Sequence, residues 1–206
     1  MEELDLLKKD WKKSENSFEQ LSEKDIYNMI HQKSSSVVKW ILIISLIELS
    51  IGILLNFLSL DIDFFNKIDA NGFSGYLEAL TIVNYAVILF FVYKFFKNYK
   101  TISSTDSTKK LMDDIISTRK TVQYYIWYNL IMIAVSALFG SYVALSITEK
   151  TKHIALDSSF MVIFCFACIL IVGVLVFLFW LLYRLLYGRL LKKLFNNYNE
   201  LKKIDL

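Results

Sequence analysis

Proline is absent from this chain of 206 residues. Ordinary usage of about 5% would supply about ten. Helices without proline keep their backbone hydrogen bonds and run straight unless glycine interrupts them, and there are only six glycines. Many carriers bind substrate at helices broken in matching positions of two halves; no such break is legible, which weighs against a carrier. With two histidines and two cysteines, neither residue type alone can furnish a four-ligand metal centre. His31 and His153 fall on opposite sides of the layout developed below. Cys165 and Cys168 form a C-x-x-C inside an apolar run, where a thiolate would be desolvated, so they read as small structural residues. Arginine is scarce too, three against twenty lysines, and a net charge of +3 is too small for nucleic-acid binding. No P-loop, G-x-S-x-G, H-E-x-x-H or pair of carboxylates at catalytic spacing occurs. The expectation is a protein that is not an enzyme and holds no cofactor and no metal.

What the chain has in abundance is apolar length. The hydrophobic fraction is 55% and the aromatic fraction 16%. Four nearly uncharged runs carry the excess: 40–60, 77–96, 124–147 and 160–186. Each holds about 20 residues or more, enough at ~1.5 Å rise to cross a hydrocarbon core of ~30 Å. Trp40, Tyr93, Tyr124, Tyr125, Trp127 and Tyr183 stand near run ends, where amphipathic rings suit the headgroup boundary. The fold expected is all-α: a polytopic membrane protein of four transmembrane helices in two hairpins, with amphipathic cytoplasmic extensions at both ends. The first 39 residues are polar and charged, so no signal peptide is expected.

Loop charge orients this layout. The 97–123 segment carries Lys97, Lys100, Lys109, Lys110, Arg119 and Lys120, and the tail carries Arg184, Arg189, Lys192, Lys193, Lys202 and Lys203. The segment after run one holds Asp61, Asp63 and Asp69 with only Lys67. Positive loops stay in the cytoplasm, which puts both termini and the 97–123 loop inside and the chain in a bacterial inner membrane.

The parts outside the runs are patterned. Leu4, Leu7, Trp11, Phe18 and Leu21, with Ser14 as a polar gap, form a heptad-like stripe in the segment 1–39. Ser22-x-x-Asp25 reads as a capping-box variant opening a helix with Ile26, Met29, Ile30 and Val37 on one face. In the tail 187–206, Tyr187, Leu191, Leu194, Tyr198 and Leu201 form a stripe that would prolong the fourth helix. Such stripes need partners: this chain, a second copy, lipid or another protein. The N-terminal stripe is the candidate surface for a cytoplasmic protein, and the C-terminal one for a homo-oligomer.

Glu48 is the sharpest oddity. It lies eight residues past Trp40, ~12 Å inside the edge of run one. An ionisable group at such depth costs a few kcal/mol and signals function or pairing. Asn84 is the polar residue nearest in depth, with Ser45 and Asn56 on the same helix as Glu48. A proton or ion site is one reading; a helix-to-helix hydrogen bond is the plainer one. Ser136, Gly140 and Ala144 form a small-residue ladder that suits close helix packing. His153 and Asp157 form a lone i, i+4 pair, and Asn71-Gly72 reads as a turn.

The stretches Glu3-Leu4-Asp5-Leu6-Leu7-Lys8-Lys9-Asp10-Trp11, Ser22-Glu23-Lys24-Asp25-Ile26-Tyr27 and Lys33-Ser34-Ser35-Ser36-Val37-Val38-Lys39-Trp40 resemble a family of four-helix membrane proteins of Bacteroidota, flavobacteria above all. Some members carry the automatic name beta-carotene monooxygenase. That activity implies a β-propeller with four iron-binding histidines, which two histidines and an absence of strand pattern exclude. The resemblance brings no residue roles. The primary expectation is a membrane-anchored, anti-sigma-like regulator or adaptor that grips a cytoplasmic protein such as a sigma factor. The alternative is a small transporter or channel subunit using Glu48.

Overall fold

The computed structural model describes residues 22–58, 66, 68–69, 72–105, 107–152 and 158–204, with side-chain positions from 149–152, 158 and 204 set aside. Four helices make up the described chain: α1 (Glu23–Leu58), α2 (Ser74–Ser103), α3 (Thr108–Lys152) and α4 (Ser158–Ile204). All four are long and apolar enough to span a membrane. Among the described residues there is no strand.

The helices outrun the hydropathy that announces them. α1 has 36 residues and α4 has 47, about 54 and 70 Å at ~1.5 Å per residue, against ~30 Å of hydrocarbon. The 97–123 segment, expected as a loop, is mostly helix: α2 continues to Ser103 and α3 starts at Thr108. Hydropathy marks where a helix meets lipid, whereas its end needs a breaker, and no proline is present to supply one. The described part of the segment before Trp40, from Glu23 on, is likewise the first part of α1. Its start is capped as expected. The Asp25 amide donates to Ser22 Oγ at 3.2 Å, and that hydroxyl donates to Asp25 Oδ2 at 2.6 Å.

Helix α1 packs on α2, α2 on α3, α3 on α4 and α4 back on α1, with α1 reaching α3 across the middle. The neighbours run antiparallel. Tyr27 donates to the Thr105 carbonyl at 2.8 Å, and His31 Nε2 lies 2.6 Å from the Ile102 carbonyl, so the start of α1 clasps the end of α2. Asn197 near the end of α4 donates to Ser34 of α1 at 2.9 Å, in a fully buried pair. At the opposite end Gly72 adopts φ +75°. Its amide bonds the Asp69 carbonyl while that of Phe73 bonds the Ile68 carbonyl, the paired closure of a Schellman turn. Ile68 and Phe73 then pack together with Val143 and Ile147.

The main core occupies the basic end of the bundle. Ile30, Val37, Val38 and Ile41 of α1, Phe95 and Ile102 of α2, Leu111, Ile115 and Val122 of α3, and Tyr187, Leu194 and Leu201 of α4 are buried together. The C-terminal stripe thus has its partner within the chain, and the expected homo-oligomer surface is occupied: Tyr187, Leu194 and Leu201 are inaccessible, and Leu191 and Tyr198 lean on the same core. Farther along, the exterior is apolar instead, with Phe57, Leu58 and Phe166 each at least 70% exposed. That distribution suits a lipid surround, since water would leave too much apolar area bare. The small-residue ladder departs from expectation. Ser136, Gly140 and Ala144 lie on an exposed face of α3, and a Cβ added to Gly140 would meet nothing within 4 Å.

Candidate functional site

Each helix presents one inward stripe, and the stripes explain where polar groups meet. On α1 it runs through Ile30, Ser34, Val38, Ile41 and Ser45 at spacings of three and four, all buried. Glu48 is its next member. On α3 the stripe Leu111, Ile115, Thr118, Val122 leads to Tyr125, and on α4 the stripe from Leu201 back through Leu194 leads to Tyr187 and Tyr183. The three stripes converge at one level.

There Tyr125 donates its hydroxyl to Glu48 Oε2 at 2.5 Å, and Tyr187 donates to the same oxygen at 3.2 Å. One carboxyl group therefore ties α1 to α3 and α4. The rings are held from behind by edge-on contacts: Tyr125 sits 5.4 Å from Phe95, 5.5 Å from Phe91 and 6.1 Å from Tyr187, centroid to centroid. Aromatic pairs at such spacing contribute about 0.5–1.5 kcal/mol each. Asn129 donates to the Tyr125 carbonyl one turn back at 2.8 Å. The tyrosine layer lies toward one end of the main core, with buried Leu130 just beyond Tyr125 on α3.

Beyond it the α1 stripe continues through Gly52, Leu55 and Asn56, but no helix closes over it. A cleft of about 760 Å³ opens between α1 and α2, reaching from Glu48 and Ile88 at its inner end to a mouth where Leu55, Asn56 and Glu78 are exposed, with Ser74 and buried Ile68 at the far side. Such a volume lies within the range of small-molecule sites. Its walls are apolar, with Leu49, Leu77 and Ile82 among them, and its polar groups include Glu48, Asn56, Glu78, Thr81 and Asn84. Asn84 accepts a hydrogen bond from Tyr128 of α3 at 3.2 Å. A smaller space of about 100 Å³, walled by Asn56, Thr81, Asn84 and Ser136, adjoins the same residues. At the far side of the mouth Ser74 donates to Asp69 Oδ1 at 2.7 Å.

The two intramembrane residues singled out by sequence, Glu48 and Asn84, therefore share one cleft without bonding each other. Glu48 is held by Tyr125 and Tyr187. Tyr125, and Tyr183 one turn from Tyr187, were expected in the headgroup belt and are instead 1% and 7% exposed. Trp40, Tyr93, Tyr124 and Trp127 do face outward, as a belt requires. The missed signal is the phase of the inward stripes, which puts Tyr125 and Tyr187 on the core side. Glu78 was missed because it falls at the edge of run two. The partner-binding candidates Leu4, Leu7, Trp11, Phe18 and Leu21 lie outside the described residues, as do His153 and Asp157. Cys165 and Cys168 are free thiols on the outer part of α4. Among the described residues no three His, Cys, Asp or Glu side chains converge to hold a metal ion.

A family model described as Domain of unknown function (DUF8845) matches residues 24–206, and the chain belongs to that family. No curated protein and no solved structure matches it. The Trp11-bearing stripe precedes the matched region.

Proposed function

We propose that this member of the DUF8845 family is a non-enzymatic subunit of a small membrane transporter, which takes a ligand into the α1–α2 cleft and holds it against Glu48. One observation carries the reading: a carboxyl group at the inner end of a drug-sized intramembrane cleft, fastened by two tyrosine hydroxyls from two other helices. Intramembrane ionisable residues that line cavities mark substrate or ion paths by default. Broken helices serve carriers by offering backbone dipoles to the ligand. Here side chains from unbroken helices (Glu48, Asn84, Thr81) offer the equivalent groups, so straight helices are no obstacle. The tyrosine layer and packed core below it make an inner gate, and a carrier with one end shut fits better than an open pore.

The reading places two antiparallel hairpins in a bacterial inner membrane, with both termini and the basic helix ends in the cytoplasm by the positive-inside rule. The cleft then opens outward. Reconstituted vesicles supply the test. Wild-type protein should produce solute-dependent charge or proton movement that Glu48→Gln abolishes. Silence across a panel of solutes, together with normal growth of a Glu48→Gln strain where deletion has a phenotype, retires the proposal.

A second reading keeps the regulator: the stripe Leu4, Leu7, Trp11, Phe18, Leu21 grips a cytoplasmic protein such as a sigma factor. What favours it is position. The stripe precedes in sequence the start of α1, which Ser22 caps and which runs 36 residues, longer than a membrane needs. A photo-crosslinking residue at Trp11 should trap one defined protein in cells, and trapping only lipid or nothing removes this reading.

A further inference from the structure

We propose that the ligand of the α1–α2 cleft is an organic cation with an apolar body. This deepens the transporter reading and rests on it for the site alone. Among the described residues the cleft has two charged groups in its lining, Glu48 and Glu78, and both are acidic; no described lysine, arginine or histidine lines it. A cationic ligand supplies the missing counter-charge. An anion there would face two carboxylates in surroundings of low dielectric, where like charges repel strongly.

The acidic groups follow one another along the route inward. The register that sets Tyr27 beside Thr105 and His31 beside Ile102 brings Glu48 level with Asn84 and Tyr85. Glu78, six to seven residues earlier on α2, then stands about 10 Å nearer the mouth. Asp69 stands at the far side of the mouth, bonded to the cleft residue Ser74. A run of one sign in a low-dielectric cleft raises the local concentration of the opposite charge.

Size and chemistry narrow the class. A bare divalent ion favours several carboxylates at about 2–2.6 Å, and among the described residues no three His, Cys, Asp or Glu side chains converge on one point. Glu48 Oε2 is already engaged by two hydroxyls. A volume of about 760 Å³ walled by Leu49, Leu55, Leu77, Ile82 and Ile88 demands an apolar body to fill it. Tyr85 adds a ring to that wall, and aromatic faces attract cations.

Equilibrium dialysis of the full-length protein in detergent micelles, with protein-free micelles as blank, tests this directly. Tetraphenylphosphonium serves as the cation, and tetraphenylborate as an anion of like size and greasiness. Saturable tetraphenylphosphonium binding is expected, with no saturable tetraphenylborate binding. Glu48→Gln should weaken the cation at least tenfold. Gly52→Phe should do the same by filling the cleft, into which a Cβ at Gly52 enters without meeting any atom within 4 Å; an unchanged unfolding transition in SDS shows that the variant is folded. No saturable cation binding to wild type, equal binding of the anion, or an unchanged affinity in both variants overturns the proposal. Failure of transport is separable. Cation binding without flux removes the carrier and keeps this site, whereas Glu48-dependent flux of an anionic or neutral solute keeps the carrier and removes the cation.

Discussion

Tyr125→Phe deletes one oxygen atom and leaves the ring. The contacts of that ring with Phe91, Phe95 and Tyr187 at 5.4–6.1 Å survive, so the change isolates the hydrogen bond to Glu48. Side-chain hydrogen bonds in membrane proteins average ~0.6 kcal/mol and reach ~1.7. At 2.5 Å to a carboxyl oxygen, this one belongs at the upper end, and about 1.5 kcal/mol of stability should be lost. The companion bond from Tyr187 is 3.2 Å long, so Tyr187→Phe should cost about 0.5 kcal/mol. Unfolding in mixed micelles of rising SDS content, followed through the four tryptophans, measures both. A double-mutant cycle completes the argument. With Glu48→Ala in the background the Tyr125 hydroxyl has lost its carboxyl partner, so Tyr125→Phe should then cost much less. Equal losses in both backgrounds, or a larger loss at Tyr187 than at Tyr125, would refute the account of the tyrosine layer.

Three further outcomes follow from the basic end of the bundle. Ser34→Ala should cost about 1–3 kcal/mol by orphaning the buried Asn197 amide, and adding Asn197→Leu should recover part of it in the same unfolding assay; a further loss instead contradicts the pairing. His31→Ala should speed hydrogen exchange at the Ser104 and Thr105 amides, because the Ile102 carbonyl loses its clasp; unchanged exchange shows that the contact holds nothing. Leu194→Ala should destabilise the monomer by about 2–5 kcal/mol with no change in oligomeric state by light scattering, since that side chain is buried within one chain. A dissociating oligomer would restore the C-terminal stripe to an interface.

The reason some features were legible and others not lies in what each depends on. Ser22 and Asp25 announced the start of α1 because a cap is a local contract between a side chain and the next turn of backbone. The tail stripe announced a continued helix for the same reason, yet its target stayed open, since a stripe records that something packs against it without recording what. Tyr125 shows the limit most clearly. Beside Tyr124 and Trp127 it looks like one more belt ring, and only the phase of Thr118, Val122 and Tyr125 against the core turns it inward. The small-residue ladder misled in the opposite direction: small side chains permit close approach but do not compel it, and here that face of α3 stays bare.

Composition and order along the chain were enough to determine four lipid-crossing lengths, their charge bias and one anomalous acid, because transfer from water to hydrocarbon is a sum over neighbouring residues. Which groups meet that acid was decided by tertiary structure alone. Glu48 and Tyr187 are brought together across 139 positions by the register of α1 on α4, and the cleft beside them lies between α1 and α2 beyond the main core. Such registers arise from many weak contacts acting together, and no short stretch of sequence carries them.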